Sequence, residues 1–197
     1  MSKGDTTRAT ICRAAVETAC LAGFNGLNLQ PLADKVGMTK SGLYAHFGSK
    51  EALQLATLEA GIELFQQHVA GPAKNDPVGL PRLRGLYRRW LSWPQNAGIQ
   101  GQCLFISASF EVDDAPGQLR DRLQKTFKDF VEILTQLTLS AQRHGHLPVG
   151  TDIDRFIQIL IALRFGHQWQ NGLMQNALAK EQTLALFEQW LRQPPLK

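Results

Sequence analysis

Residues 27–53, LNLQPLADKVGMTKSGLYAHFGSKEAL, hold two short helix patterns divided by a glycine turn, and no other stretch restricts the fold as much. Leu29, Leu32, Ala33 and Val36 recur at helical spacing, which predicts one apolar face. Asn28 stands as an N-cap, where a side-chain oxygen can accept from the free N–H groups of the first turn. Pro31 fits only in that first turn, where its missing N–H costs nothing. Gly37 ends the helix and Met38-Thr39 makes the turn. Thr39 then caps a second helix running to about His46, with Leu43 and Phe47 inward at i, i+4. Ser49 caps a third that opens at Lys50. Two short helices across a tight turn form a helix-turn-helix, here at about 27–46, the motif that lays its second helix in the major groove of double-stranded DNA.

The polar face of the second helix carries the chemistry. Thr39, Lys40, Ser41, Tyr44 and His46 offer a cation, three hydroxyls and an imidazole from barely two turns. Hydroxyls and lysine suit phosphate oxygens, and Lys, Ser and Thr also reach base edges. Gly42 is a poor helix residue, and its cost is reasonable where the backbone must come close to another surface. Lys50 at a helix N-terminus is a phosphate clamp. The plain alternative is a helical hairpin that serves only as core.

The remainder predicts helices over 6–23, 50–69, 80–93, 101–112, 117–143, 152–172 and 181–192, with no strand-type alternation of useful length, so the fold class is all-α. The 50–69 segment is apolar on two sides and must touch two neighbours. Gly71 to Gly79 reads as a turn-rich loop, as does Asp113 to Gly117. The 152–172 segment is apolar nearly all round, which predicts burial on every side. Paired with 181–192 it can build a four-helix interface between two copies, through Phe156, Leu160, Leu163, Leu184, Phe187 and Leu191. Arg82, Arg84, Arg88 and Arg89 share one helix face, either a second nucleic-acid patch or a solvated surface. Ser107, Ser109, Glu111, Arg164, His167 and Gln168 are polar residues in or beside apolar helical runs.

The chain has 197 residues and a net charge of +4, a mild preference for polyanions. No run of some eighteen apolar residues exists and MSKGDTTRAT lacks an apolar signal segment, so a cytoplasmic protein without a membrane span is expected. Cys12, Cys20 and Cys103 have no metal-type spacing and read as reduced, mostly structural thiols. His144 and His146, near Asp152 and Asp154, lack the spacing of a helical ligand pair, so no metal is assigned. No phosphate loop, nucleophile elbow or paired carboxylates appear, so neither catalytic residues nor cofactors are expected and the chain does not read as an enzyme.

GFNGLNLQPLADKVGMTKSGLYAHFGSKEAL closely resembles the DNA-binding domain of the TetR family of transcriptional regulators, over roughly residues 8–55. The resemblance implies an all-α homodimer: a three-helix DNA-binding domain at 1–50 and a larger helical domain at 51–197 that binds a small molecule, dimerises and controls affinity for a palindromic operator. Thr39, Lys40 and Tyr44 match positions that usually touch DNA, and Lys50 a phosphate-contacting helix start; Asn28, Ser41, Gly42 and His46 complete the candidate DNA-binding set. Asn28 replaces the usual Ser or Thr cap, and Ser41-Gly42 stands where the family more often has Gly followed by a small polar residue. A ligand cavity is implied among the aromatic residues of the larger domain, with Trp90, Phe105, Phe130 and His167 as its candidate lining. The reading is a repressor that releases its operator when a small molecule binds. Its rivals are a redox or electrophile sensor acting through Cys103, at the start of a helix, and a helical interaction protein that binds no DNA.

Overall fold

The computed structural model describes residues 3–114 and 116–196, so Met1, Ser2, Ala115 of the expected 113–117 loop and Lys197 lie outside the described residues. Among the described residues the chain is all-α, with eleven α-helices, one π-helical turn and a single bridge between Thr151 and Leu196. Its helices divide between two compact units that do not follow the order of the chain.

The first unit joins residues up to 65 with residues 97–125. It contains α1 (Lys3–Ala22), α2 (Leu29–Lys35), α3 (Lys40–Phe47), α4 (Lys50–Phe65), α8 (Leu104–Val112) and the beginning of α9 (Gln118–Arg143). Ile11, Ala15, Val16, Ala19, Phe24, Leu27, Leu32, Leu43, Leu53 and Leu58 are sealed in its core. A fully buried side chain of the Leu, Ile or Phe type contributes about 1.5–3 kcal/mol, so this cluster, rather than helix propensity, holds helices as short as α2 and α3. Residues 97–125 grip the unit at several points. Arg13 donates to the Ala97 carbonyl at 2.6 Å, and the Gln102 N–H to the Cys20 carbonyl at 2.7 Å. Phe105 packs edge-on against Phe65 with ring centres 5.9 Å apart. Arg122 of α9 meets Glu59 of α4 through two nitrogens, at 2.5 and 2.8 Å.

The second unit joins 66–96 with the residues after 125. It holds α5 (Gly71–Ala73), α6 (Leu80–Leu91), α7 (Trp93–Asn96), the rest of α9, α10 (Ile153–Gly172) and α11 (Ala179–Arg192). Its core sets aromatic rings among leucines: Tyr87 lies 4.4 Å from Phe187 and 6.0 Å from Trp90, centre to centre.

Two expectations are corrected here. The helical path does not end at Gly71; it passes through a π-helical turn, Gln66–Ala70, into α5 and stops at Ala73. Pro72 has no N–H to give the ladder and its ring crowds the preceding turn, and a widened turn relieves both. Gly71 suits it, since a Cβ there would stand 2.8 Å from the Gln66 carbonyl oxygen. The second correction concerns α10, which is not buried on every side. Gln158, Ala162, Gly166 and Trp169 follow one another at helical spacing and are exposed. No helix among the described residues is long and apolar enough to cross a membrane.

Candidate nucleic-acid interface

Helix α3 is fastened from beneath and open above. Leu43 is fully buried and Phe47 nearly so, which fixes the helix on the first unit. The Thr39 side chain accepts from the Gly42 N–H at 3.1 Å, the capping bond its position predicts. At the other end Gly48 closes the helix in the left-handed region, at φ 76°, where a side chain would be strained. Arg8 of α1 donates to the His46 carbonyl and lays its guanidinium over the Phe47 ring, 4.4 Å from the centre. Sequence reasoning missed Arg8, since its partners lie far along the chain.

The free face holds Lys40, Ser41 and Tyr44, all exposed, which together form one open surface patch. Thr39 and Ser41 oxygens lie 3.2 Å apart, so the two hydroxyls form one polar edge. Gly42 sits under this face; a Cβ would approach the Thr39 hydroxyl to 3.1 Å, tighter than most side chains allow. His46 is half-buried at the far end of the helix, its ring 6.4 Å from Phe47. Lys50 is exposed, and its ammonium reaches the Asn25 carbonyl at 3.5 Å, while Ser49 caps α4 by accepting from the Ala52 N–H at 3.0 Å. Asn28 is corrected: it holds the N-cap position in extended conformation, but its side chain makes no capping bond and is exposed.

The candidate effector residues belong to different units. Trp90, Phe130 and His167 belong to the second unit, with Trp90 and Phe130 meeting edge to face at 4.6 Å. Phe105 belongs to the first unit, against Phe65. Beside Trp90 lies Arg164, only 1 % exposed, its guanidinium 5.7 Å from the ring centre. A polar residue inside an apolar helical run was the available signal for Arg164. His167 contacts the Leu91 carbonyl through Nε2 at 3.1 Å. Burial, together with the positive charge of Arg164, holds its pKa below the usual imidazole value.

The other candidates take structural positions. Phe156, Leu160 and Phe187 are wholly enclosed by their own subunit and Leu191 nearly so, while Leu163 and Leu184 are half-buried. Phe156, Leu160 and Phe187 therefore pack within one chain, while Leu163 and Leu184 keep part of their surface open. A helical apolar stripe looks the same whichever chain covers it. The exposed large apolar residues of α10, α11 and the link between them are Trp169, Leu173, Met174, Leu178 and Leu186. Arg84 and Arg88 both meet Glu188, at 2.8 and 3.4 Å, and Arg89 meets Asp76 at 2.5 Å, so much of that arginine face is spent on ion pairs. The Arg89 guanidinium in turn holds the Asp76 carboxyl below its usual range. Cys103 is 1 % exposed, and burial, with Cys103 beside it, pushes the Cys20 thiol up to about 12. A thiol chemistry at Cys103 would first require the start of α8 to open. His144 bonds the Ser140 carbonyl at 2.8 Å, and His146 accepts from the Leu80 N–H at 3.2 Å.

Known proteins align with both parts of the chain. Residues 11–57 match the family described as bacterial regulatory proteins, tetR family, and residues 79–187 match the tetracyclin repressor-like C-terminal domain. The HTH-type transcriptional repressor NemR of Escherichia coli is 25% identical over 174 residues, covering 87% of each chain. A TetR transcriptional regulator from Chloroflexus aurantiacus superposes with a TM-score of 0.88 at 22% identity, over 98% of both chains. AibR, solved in complex with isovaleryl coenzyme A and operator DNA, superposes with a TM-score of 0.70 at 22% identity, over 96% of this chain and 100% of that one. With the family's C-terminal domain matched over more than half of its length, and a capped α3 presenting a polar face, this chain belongs to the TetR family of DNA-binding transcriptional regulators.

Proposed function

We propose that this protein is a cytoplasmic, homodimeric repressor that holds a palindromic operator through α3 and releases it when a small molecule enters the second unit. The carrying observation is the open face of α3. Lys40, Ser41 and Tyr44 share one open patch, while Leu43 and Phe47 lock the helix from below. Thr39 serves as cap and polar edge, and Lys50 and Asn28 add contacts to the DNA backbone from the starts of α4 and α2. The close approach at Gly42 keeps the cap short, and His46 borders the surface. The NemR and AibR likenesses support repression and a response to a bound molecule.

The effector reading rests on polar atoms set in an aromatic core. Trp90 and Phe130 form the apolar walls, and His167 and Arg164 supply buried polar heads. The Ser92 hydroxyl and the Trp190 indole N–H are buried without a hydrogen-bond partner among the described residues. Leaving such a group unsatisfied costs about 1–3 kcal/mol, which a ligand with complementary atoms would recover. For the dimer, the supporting feature is the exposed stripe of α10. Ala162 and Gly166 are small enough for a second helix to come close, and Trp169 and Leu173 supply apolar area beside them.

Calorimetric titration of candidate effectors, with and without operator DNA, tests the switch. Linkage is reciprocal, so an inducer binds free protein more tightly than the DNA complex, by the factor with which it weakens DNA binding. Equal affinity in the two states would dismiss that compound as an inducer, and failure across apolar and aromatic candidates would dismiss the effector reading. Sedimentation tests the assembly: a dimer is expected for the wild type and a monomer for Trp169→Asp, whereas a wild-type monomer at micromolar concentration would refute it.

A further inference from the structure

The turn between α1 and α2 is held by three side chains from distant parts of the chain. Glu111, near the end of α8, accepts the Phe24 N–H on Oε1 at 3.1 Å and the Asn25 N–H on Oε2 at 2.5 Å. The carbonyls of the same two residues are taken from α4: Gln54 donates to Phe24 at 3.2 Å and Lys50 to Asn25 at 3.5 Å. These peptide groups are therefore strung between α8 and α4. Phe24 is 1 % exposed and anchors the turn in the core. Gly23 completes the fit, because its φ of 73° suits glycine and any Cβ there would collide with the Glu111 carboxylate.

A carboxylate that accepts two N–H groups makes charge-assisted bonds, stronger than neutral ones, and their geometry tolerates little displacement. A shift of α8 against the turn therefore breaks the clamp or drags the turn along. What the turn carries is the recognition helix. It continues directly into α2, while α1 on its other side holds the end of α3 through Arg8, at the His46 carbonyl and the Phe47 ring. Glu111 contributes nothing to the exposed patch of Lys40, Ser41 and Tyr44.

We propose that Glu111 is a positioning residue for DNA recognition: its carboxylate sets the attitude of α1, α2 and α3 and so fixes the affinity for specific DNA without touching it. The inference rests on DNA binding through α3 but is independent of the effector reading. The test compares wild type, Glu111→Ala and Glu111→Gln in two measurements. Amide exchange is followed at Phe24 and Asn25. Affinity is measured for a duplex from the region upstream of the protein's own gene and for a scrambled duplex of equal composition.

In Glu111→Ala both amides are expected to exchange about tenfold faster or more, as befits the loss of bonds to a charged group. Affinity for the upstream duplex should fall about tenfold, within the usual range of coupling between sites, while affinity for the scrambled duplex stays unchanged. Glu111→Gln keeps one acceptor oxygen, so it should protect one amide and retain part of the specific affinity. Faster exchange with unchanged specific affinity would make the clamp merely structural and overturn the proposal. An equal loss on both duplexes, or unchanged exchange, would also overturn it. If Glu111→Ala does not fold, Glu111→Gln decides by the same readouts. A wild type without preference for the upstream duplex would overturn the recognition reading itself, and this inference with it.

Discussion

The two units use polar residues in opposite ways. In the first, the chemistry stands outside: Lys40, Ser41 and Tyr44 are exposed over a core that is almost wholly apolar. In the second, polar groups are drawn inside, with Arg164, His167 and Tyr87 buried in the core. A surface that reads DNA must offer solvated donors to a polyanion, and a large share of its binding energy comes from displaced counterions. A site for a small molecule works by enclosure, a few polar atoms orienting a ligand within apolar walls. The contrast implies that the exposed residues of α3 can be changed at little cost in stability, whereas the buried residues of the second unit cannot.

The largest expected effect tests that contrast directly. Phe187→Ala removes a fully buried ring packed on Tyr87 and should cost about 3–5 kcal/mol in denaturant unfolding. Ser41→Ala, on the exposed face of α3, should stay within about 0.5 kcal/mol of wild type. Comparable losses from the two substitutions would erase the distinction.

A smaller effect sharpens it through pH. Because the folded pKa of His167 lies below its ordinary value of 6.5, the unfolded chain takes up its proton first as pH falls. Stability from this residue is complete above that value and declines as pH drops through 6.5 toward the lower folded pKa. Thermal unfolding between pH 7.5 and 5.5 should show the decline, and His167→Asn should flatten it. Arg164→Met should raise the pKa of the imidazole in an NMR titration, since the guanidinium is one cause of the depression. An unmoved pKa would assign the whole effect to burial. The smallest effect belongs to the first unit: Lys50→Ala should reduce the slope of log affinity against log salt by about 0.9, for any DNA sequence. An unchanged slope would remove Lys50 from the phosphate contacts.

Legibility followed the range of the interactions. Thr39 over Gly42 and Ser49 over Ala52 were readable, because a cap and its partner lie three residues apart. Leu43 and Phe47 were readable because i, i+4 spacing is a property of the helix itself. Glu111 shows in the sequence only as a polar residue in an apolar run, since its partners lie 86 and 87 residues away. Arg8 is hidden for the same reason, 38 residues from His46. Gly71-Pro72 reads as a loop because those residues break an ordinary helix, and periodicity carries no sign of a π-helical turn that absorbs them. Leu160 and Phe187 show the complementary limit: helical spacing identifies a buried face but not the chain that buries it.

The central claim is that the open face of α3 reads DNA, and fluorescence anisotropy with the upstream and scrambled duplexes, across a salt series, tests it most directly. The wild type should prefer the upstream duplex by about a thousandfold or more, the usual margin of specific over non-specific binding. The double variant Lys40→Ala, Tyr44→Ala should lose most of that preference while its unfolding temperature stays unchanged. A wild type indifferent to sequence, or a double variant that discriminates as well as the wild type, would contradict the account.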